Sequence, residues 1–469
     1  MIRHGLLVFA DEMRQLNIRV AGLSLLERGI RTMARAGIKH LHIVVPDGPP
    51  PTLSRLVKNL DINIEFLVWG AAPSPAAAPQ GDFLLLLGDY VHHHSSLQAL
   101  VKSGLGNQDL VVQIGNPDQQ NLLQAVSVTA ASLDFGETTD PGTQASTGAF
   151  LCSADLFSPA ELAATAATPL EFLRTGAVGR QIVLSEEPLP LWHRVVDRRS
   201  ARAAKNMLFS QVTKSTSGWI SRHINARISI PTSKLLIETG ISPHMITVLL
   251  VLTTGLGAAY LVTQAHIYSY LAGAGILWQF AAIFDRCDGE VARVKLCESK
   301  FGEWFDTLTD NIAYIFAYIC MLIGIHHLYP ETPLYLYLGF SAIGALLLTL
   351  AVMYRFALKT GSGSLQNYQV EFAKVPDEQK GKIYRLLERT GFMGKRDFFS
   401  FFFFLTAIFN CFEISYWFAI IGIHLQALGV LLSQHKMLQH YRKPNPEAPA
   451  GVPSLNALSV SHTAAKDRR

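Results

Sequence analysis

Charged side chains are scarce in this sequence: Asp, Glu, Lys and Arg make up 16% of its 469 residues, against about 25% in an average soluble protein. The shortage is uneven. Residues 1–215 read as a mixed soluble sequence, whereas 244–435 are dominated by long apolar runs. Cysteine is sparse as well. Cys152, Cys287, Cys297, Cys320 and Cys411 are odd in number, scattered and without C-x-x-C spacing, which argues against a disulfide framework or a zinc site. Cys287 and Cys297 read as packing residues. The formal net charge of +4 is too small to suggest nucleic acid, and no such partner is expected. A secretory signal is missing too, since charged residues follow Met1–Ala10 at once, so the first domain is expected to stay in the cytoplasm. The length suggests two or three domains.

What is present in abundance is apolar sequence of membrane-spanning length. A span needs about 20 mostly apolar residues. Six segments are expected to qualify: 245–263, 268–284, 303–327, 333–357, 397–412 and 414–434. The connections at 264–267, 328–332 and 411–414 contain no Lys or Arg. The opposite connections carry Arg286, Arg293, Lys295 and Lys300, then Arg355 through Arg396, then Lys436, Arg442 and Lys443. That alternation places every basic cluster on one face of a six-span bundle in the cell membrane, with both termini cytoplasmic. Just before the first span, Trp219, Ile220, Ile224, Ile228 and Leu235 alternate with Arg222, Arg227 and Lys234. This suits an amphipathic helix lying in the membrane interface.

The second span runs into F-D-R-C-D-G-E-V-A-R-V-K-L-C-E-S-K-F-G-E-W-F-D-T-L-T-D-N. Asp285 and Asp288 are three apart, and Asp306 and Asp310 four apart. On helices each spacing puts the pair on one face. Gly289, Ala292 and Arg293 continue the first face, Gly302 lies one turn before Asp306, and 296–300 are expected to form the turn between the helices. Four charges at the centres of spanning helices would cost roughly 10–14 kcal/mol on insertion scales. A divalent metal is the natural compensation, and all-oxygen ligation favours magnesium, manganese or calcium over zinc. Arg293 supplies a planar cation suited to phosphate.

The pattern D-x-x-D-G-x-x-A-R-x8-G-x-x-x-D-x-x-x-D, met at all eight fixed positions, resembles the signature of the CDP-alcohol phosphotransferase family. The resemblance implies transfer of a substituted phosphoryl group from a CDP-alcohol to an acceptor alcohol with release of CMP. It implies that Asp285, Asp288 and Asp306 hold two metal ions, Mg2+ or Mn2+. Asp310 would be the general base and would also touch metal. Gly289, Ala292, Arg293 and Gly302 would line the cytidine diphosphate. The family's Pro-Asn-x-x-Thr element reads Pro243-His244-Met245-Ile246-Thr247 here, which keeps Thr247 as a nucleotide contact and loses the Asn. Lys395 and Arg396 at the cytoplasmic mouth of the fifth span are candidates for binding a phosphate on the acceptor, with positive-inside anchoring as the competing explanation. Family members commonly form homodimers through membrane helices.

Residues 1–205 alternate strand and helix signals. An amphipathic helix is expected to end at Gly37, and strands at H-L-H-I-V-V, I-N-I-E-F-L-V and D-F-L-L-L-L-G-D, giving an α/β domain with a mostly parallel sheet. The domain resembles a sugar nucleotidyltransferase, through Val20–Arg28, Gly88-Asp89, the run 146–152, Trp192 and Asp197. That likeness implies a metal held by Asp89 and Asp197. The stretch Ala10–Leu16, however, lacks the glycines of the family's phosphate-wrapping loop. A degenerate domain is therefore expected, structural, regulatory or only nucleotide-binding. His92–His94 are read as solvated loop residues, 71–80 as a flexible loop and 436–469 as a cytosolic, disordered tail. The expected division is 1–205, a linker with interfacial helix over 206–243, the six-span domain over 244–435, and the tail. Two alternatives stay open: a bifunctional enzyme whose soluble half also makes a CDP-polyol such as CDP-inositol, and a cation transporter, which would release no CMP.

Overall fold

The computed structural model describes residues 2–9, 18–45, 60–68, 81–115, 123–128, 133–138, 145–156, 169–187, 189, 191–213, 217–248, 253–360 and 396–442. Ala10–Leu16, the 71–80 run, Lys395 and the tail from 443 lie outside them. The chain forms two compact units, one made of Met1–Gly255 with Trp278–Ser299, the other of Leu256–Leu277 with Lys300–Arg469.

The first unit is built on a sheet. Strands β1 (His4–Val8), β4 (His40–Val45), β5 (Asn63–Val68) and β6 (Phe83–Leu87) pair in parallel in the order β5-β4-β1-β6. β11 (Ala145–Cys152) then pairs antiparallel with β6 and with β8 (Leu110–Gly115), and β12 (Ile182–Glu187) pairs parallel with β8. β9 (Leu123–Val128) and β10 (Leu133–Thr138) form an antiparallel hairpin beyond β11. The sheet is thus mixed rather than mostly parallel, because β11 reverses direction at its centre. β1, β6, β8 and β11 are almost wholly buried, which explains their unbroken apolar runs. Short ribbons β2 (Arg19–Val20) with β3 (Leu23–Ser24), and β7 (Tyr90–His92) with β13 (Trp192–Arg194), flank it.

Helix α1 (Leu25–Ala36) ends at Gly37 as expected and starts after Ser24. Ser24 caps its start by accepting from the Glu27 amide at 3.2 Å. Gly37 ends it with φ 104°, and the Ile38 amide returns to the Met33 carbonyl at 3.2 Å. Helices α2 (His94–Ser103), α3 (Pro169–Gly176) and α4 (Arg198–Ser210) complete the domain. A π-helical turn at Ser221–Asn225 leads into α5 (Ala226–Leu236), where the interfacial helix was expected.

Helix α6 (Thr253–Val262) and α7 (Tyr268–Val294) follow, and α7 ends on the turn where Leu296 takes φ 52°. α8 (Lys300–Leu328), α9 (Pro333–Thr360), α10 (Arg396–Ile408) and α11 (Phe412–Arg442) make most of the second unit. Close packing there relies on small residues: a Cβ on Gly324 would lie 2.2 Å from the Val262 carbonyl oxygen. At the start of α11, Glu413 accepts from Tyr335, from Tyr329 at 3.0 Å and from the Trp417 indole at 3.3 Å.

Among the described residues, three helices are long and apolar enough to cross a membrane: Thr307–Leu328, Pro333–Phe356 and Phe412–Leu432. The other three expected spans differ for local reasons. The described part of the first, α6, is 10 residues long; α7 carries charge throughout its last third; and α10 is 13 residues long.

The histidine run is not a solvated loop. His92 lies in β7, 2% exposed, with its Nε2–H donated to the Thr147 carbonyl at 2.8 Å, while His93 caps α2. Burial pushes His92, His93 and His193 down to about 4, with neighbouring His94 adding to the effect on His93. These groups stay neutral in the fold, whereas the unfolded chain takes up protons near the ordinary value of about 6.5. Stability present above about pH 6.5 is therefore lost as pH falls towards 4. The melting temperature of the solubilised protein, followed by tryptophan fluorescence, is expected to fall across that window, and His92→Gln to make the fall shallower.

Candidate active site

The last third of α7 carries the first half of the motif. Asp288 is 8% exposed and accepts a hydrogen bond from the Thr247 hydroxyl. Thr247 follows the helical turn Pro243–Ile246, which Ser242 caps by accepting from the Met245 amide at 3.3 Å. The looser Pro-x-x-x-Thr element is thereby joined to the motif. Gly289 has a spatial purpose: a Cβ there would lie 3.1 Å from Nη1 of Arg293. The guanidinium lies along that bare strip of helix, and its Nε donates to the Val212 carbonyl at 2.9 Å. Asp285 and Ala292 sit half-buried on the same helix.

On α8, Gly302, Asp306 and Asp310 follow in helical register, and Gly302 and Asp310 are half-buried. Asp310 forms an ion pair with Arg396 at the start of α10, the two side chains being 27% and 19% exposed. The Arg396 guanidinium also stands 5.7 Å from the centre of the Tyr314 ring, one turn beyond Asp310. Sequence reasoning gave the two residues separate roles, base and acceptor-phosphate ligand, and the fold puts them in contact.

Among the described residues, no three His, Cys, Asp or Glu side chains form a group that could hold a metal ion. The chemistry of the donors nevertheless fits a hard divalent cation. They are carboxylates and a hydroxyl, and the Asp288 carboxylate is buried beside Thr247.

The sequence analysis missed what holds α7 in its rotation. Ser221, Asn225, Ser229 and Ser233 recur every fourth residue, all 8% exposed or less. They face Gln279, Arg286 and Glu290 on α7. Gln279 donates to Asn225 at 2.8 Å, and Arg286 to Ser229 at 3.1 Å and to Ser221. Glu290, fully buried, accepts from Ser229 at 2.8 Å, Ser233 at 2.7 Å and Arg286 at 2.9 Å. Of the five apolar residues assigned to the membrane interface, Trp219, Ile228 and Leu235 are exposed, whereas Ile224 is half-buried and Ile220 is buried at 7% exposure. The four-residue spacing of small polar side chains was the available signal.

Breaking a buried charged network by removing one partner costs about 3–5 kcal/mol. Glu290→Ala is expected to lower the melting temperature of the solubilised protein by about 5–15 °C. The exposed pair between Arg35 and Glu298, 3.0 Å apart, gives the control: Glu298→Ala should shift it by no more than about 3 °C.

Comparison with known proteins agrees with the motif. Residues 241–423 match the family model of CDP-alcohol phosphatidyltransferases. A "Bifunctional IPC transferase and DIPP synthase" of Thermococcus kodakarensis is 25% identical over 313 residues, covering 63% of this chain and 68% of that protein. A "Phosphatidylinositol phosphate synthase" of Mycobacterium tuberculosis is 32% identical over 95 residues, covering 20% and 42%. The solved inositol-1-phosphate CTP transferase from T. maritima aligns with 44% of this chain and 96% of its own, at 14% identity and a TM-score of 0.35. Residues 241–423 are a CDP-alcohol phosphatidyltransferase domain, and the chain is a phosphotransferase that joins this domain to an α/β domain at its N-terminal side.

Proposed function

We propose that the protein is a multi-pass membrane enzyme that moves a substituted phosphoryl group from CDP-diacylglycerol or a CDP-polyol to an acceptor alcohol, releasing CMP. The observation that carries this reading is the eight-position motif, complete within the matched segment, with Asp288 bonded to Thr247 and Asp310 paired with Arg396.

Asp285, Asp288, Asp306 and Asp310 would hold two Mg2+ or Mn2+ ions. Bound metal would neutralise the diphosphate and stabilise the departing CMP. The remaining chemistry belongs to the chain. Thr247, Gly289, Ala292, Arg293 and Gly302 bind and orient the cytidine diphosphate. Asp310 takes the proton of the acceptor hydroxyl as its oxygen bonds to the phosphorus that bears the donor alcohol. The bond from that phosphorus to the bridging oxygen breaks, and CMP leaves with the electron pair. Arg396, already beside Asp310, is placed to bind a phosphate on the acceptor and so bring the hydroxyl to the base. The relative named as a phosphatidylinositol phosphate synthase supports an acceptor that carries phosphate.

The alternation of Lys and Arg between connections supports six spans with both termini in the cytoplasm; α11 runs unbroken through Arg442, so residues 436–442 are helical rather than part of the expected disordered tail. A second reading, in which the α/β domain also makes the CDP-polyol, draws support from the relative named as bifunctional, whose aligned stretch is longer than the 241–423 segment.

The decisive variant is Asp310→Asn. In bilayers containing CDP-diacylglycerol or supplied with a CDP-polyol, with Mg2+ and candidate acceptors, it is expected to lower CMP release about 10²–10⁴-fold. Full activity in that variant, or no CMP from the wild type with any donor and acceptor, overturns the reading. Arg396→Ala should raise the KM for a phosphorylated acceptor at least tenfold while leaving that for the CDP-alcohol within about twofold.

A further inference from the structure

We propose that the α/β domain acts as a fixed mount for the helix bearing Asp285 and Asp288, and that Arg194 supplies an internal cation where a metal-dependent nucleotidyltransferase would bind its ion. This rests on the phosphotransferase reading above and assigns the other half of the chain a role within it.

The residues expected to hold a metal in the α/β domain are otherwise engaged. Asp89 follows β6, and its Oδ2 accepts from Nε of Arg194 at 2.8 Å, with Asp89 16% and Arg194 18% exposed. The pair is built into the backbone. β13 runs antiparallel to β7 with Arg194 opposite Tyr90, and the Val195 amide donates to the Asp89 carbonyl at 2.7 Å. The guanidinium also stands 5.8 Å from the centre of the buried Tyr90 ring. That ring is seated against Gly148, where φ is 79° and a Cβ would come within 2.5 Å of it. Asp197 is the N-cap of α4: its Oδ1 accepts from the Ser200 amide at 2.7 Å and the Ser200 hydroxyl at 2.6 Å. A divalent ion there would meet a guanidinium already paired with Asp89 and a carboxylate already capping a helix. The donor set does not fit it.

The same domain grips the motif helix. Arg28 on α1 is 2% exposed. Its Nε and Nη2 donate to the Val20 carbonyl at 3.2 and 2.8 Å, Nη2 also to Ala21 at 3.4 Å, and Nη1 to Val294 at 3.0 Å. Val294 is the last residue of α7. The final carbonyls of a helix lack partners within it and carry the negative end of its dipole, so a buried guanidinium there both satisfies and neutralises. The turn that Arg28 clamps, Ala21-Gly22, has φ 50° and 77°. A Cβ on Gly22 would lie 2.4 Å from the Ile237 carbonyl oxygen, so the turn is wedged against the chain just after α5. Cys287, Val291 and Val294 of α7 share one apolar core with Val20, Leu26 and Ile30. Asp288 thus sits on a helix whose end is held by the α/β domain.

The test uses the full-length protein in bilayers and three readouts: diphosphate released from CTP with polyol monophosphates, CMP released from a CDP-alcohol with an acceptor, and bound Mn2+ counted by electron paramagnetic resonance. The expected results are no diphosphate above background at any Mg2+ or Mn2+ concentration, and the same Mn2+ count and CMP release within twofold for Asp89→Asn. Arg28→Met should raise the Mn2+ concentration for half-occupancy at least tenfold, and Arg28→Lys, which keeps the cation but loses the fork, should recover part of it. Diphosphate formation abolished by Asp89→Asn, or loss of one bound Mn2+ in that variant, overturns the proposal. So does a folded Arg28→Met or Arg28→Lys protein with unchanged Mn2+ affinity and CMP release. If Arg28→Met does not fold, Arg28→Lys and the two wild-type readouts still decide. Absence of CMP from the wild type would instead count against the phosphotransferase reading itself.

Discussion

Carboxylates carried into an apolar helical environment must be compensated, and α7 is organised around that requirement. Within a stretch of six residues it places Asp285, Arg286, Asp288 and Glu290. Glu290 is fully buried and is answered by two serine hydroxyls and Arg286 from within the protein. Asp288 is nearly as buried and receives Thr247. A buried carboxylate with three donors is a fixed structural feature. Asp288 accepts from the Thr247 hydroxyl and from the Gly289 amide, on the same helix as Asp285. Glu290 thus fixes the helix that carries the proposed metal-binding aspartates Asp285 and Asp288.

The chemistry was legible in the sequence because it depends on residue identity at fixed spacing: two Asp three apart, two four apart, with glycine and alanine where a ligand needs room. The end of α1 was legible for the same reason, since Gly37 acts on its own backbone within one turn, whereas the cap at Ser24 was not foreseen. What was not legible was tertiary. The spacing of Ser221, Asn225, Ser229 and Ser233 marks a polar face, but nothing local says that this face will meet Glu290. The direction of β11 was equally hidden, because a fully buried apolar strand reads the same in either sense. His92 to His94 misled because a run of polar residues resembles a loop, although His92 lies in a strand buried along its whole length and the next residue caps a helix. Asp197 drew attention for its carboxylate, whereas its pairing with Ser200 makes it a cap.

Two arginines have gained meaning from the fold. Arg28 belongs to a stretch that reads as an ordinary amphipathic helix, yet it joins the turn before α1 to the end of the motif helix. Arg194 was not singled out by sequence, and it sits on the carboxylate that the nucleotidyltransferase resemblance would give to a metal. Arg28 meets its partners through several planar donors, which a lysine could not reproduce, and Arg194 pairs with Asp89 through Nε while standing over the Tyr90 ring. The α/β half is thereby physically part of the unit that carries Asp288, rather than a separate module on a tether.

The central claim is phosphoryl transfer with departure of CMP. The most direct measurement supplies the bilayer-embedded protein with a CDP-alcohol, Mg2+ and acceptor, and quantifies every cytidine nucleotide and phosphodiester product by mass spectrometry. The account predicts CMP and the new phosphodiester in equal amounts, both eliminated by chelating the divalent metal. Formation of CDP in place of CMP, or CMP without a matching phosphodiester, would contradict it.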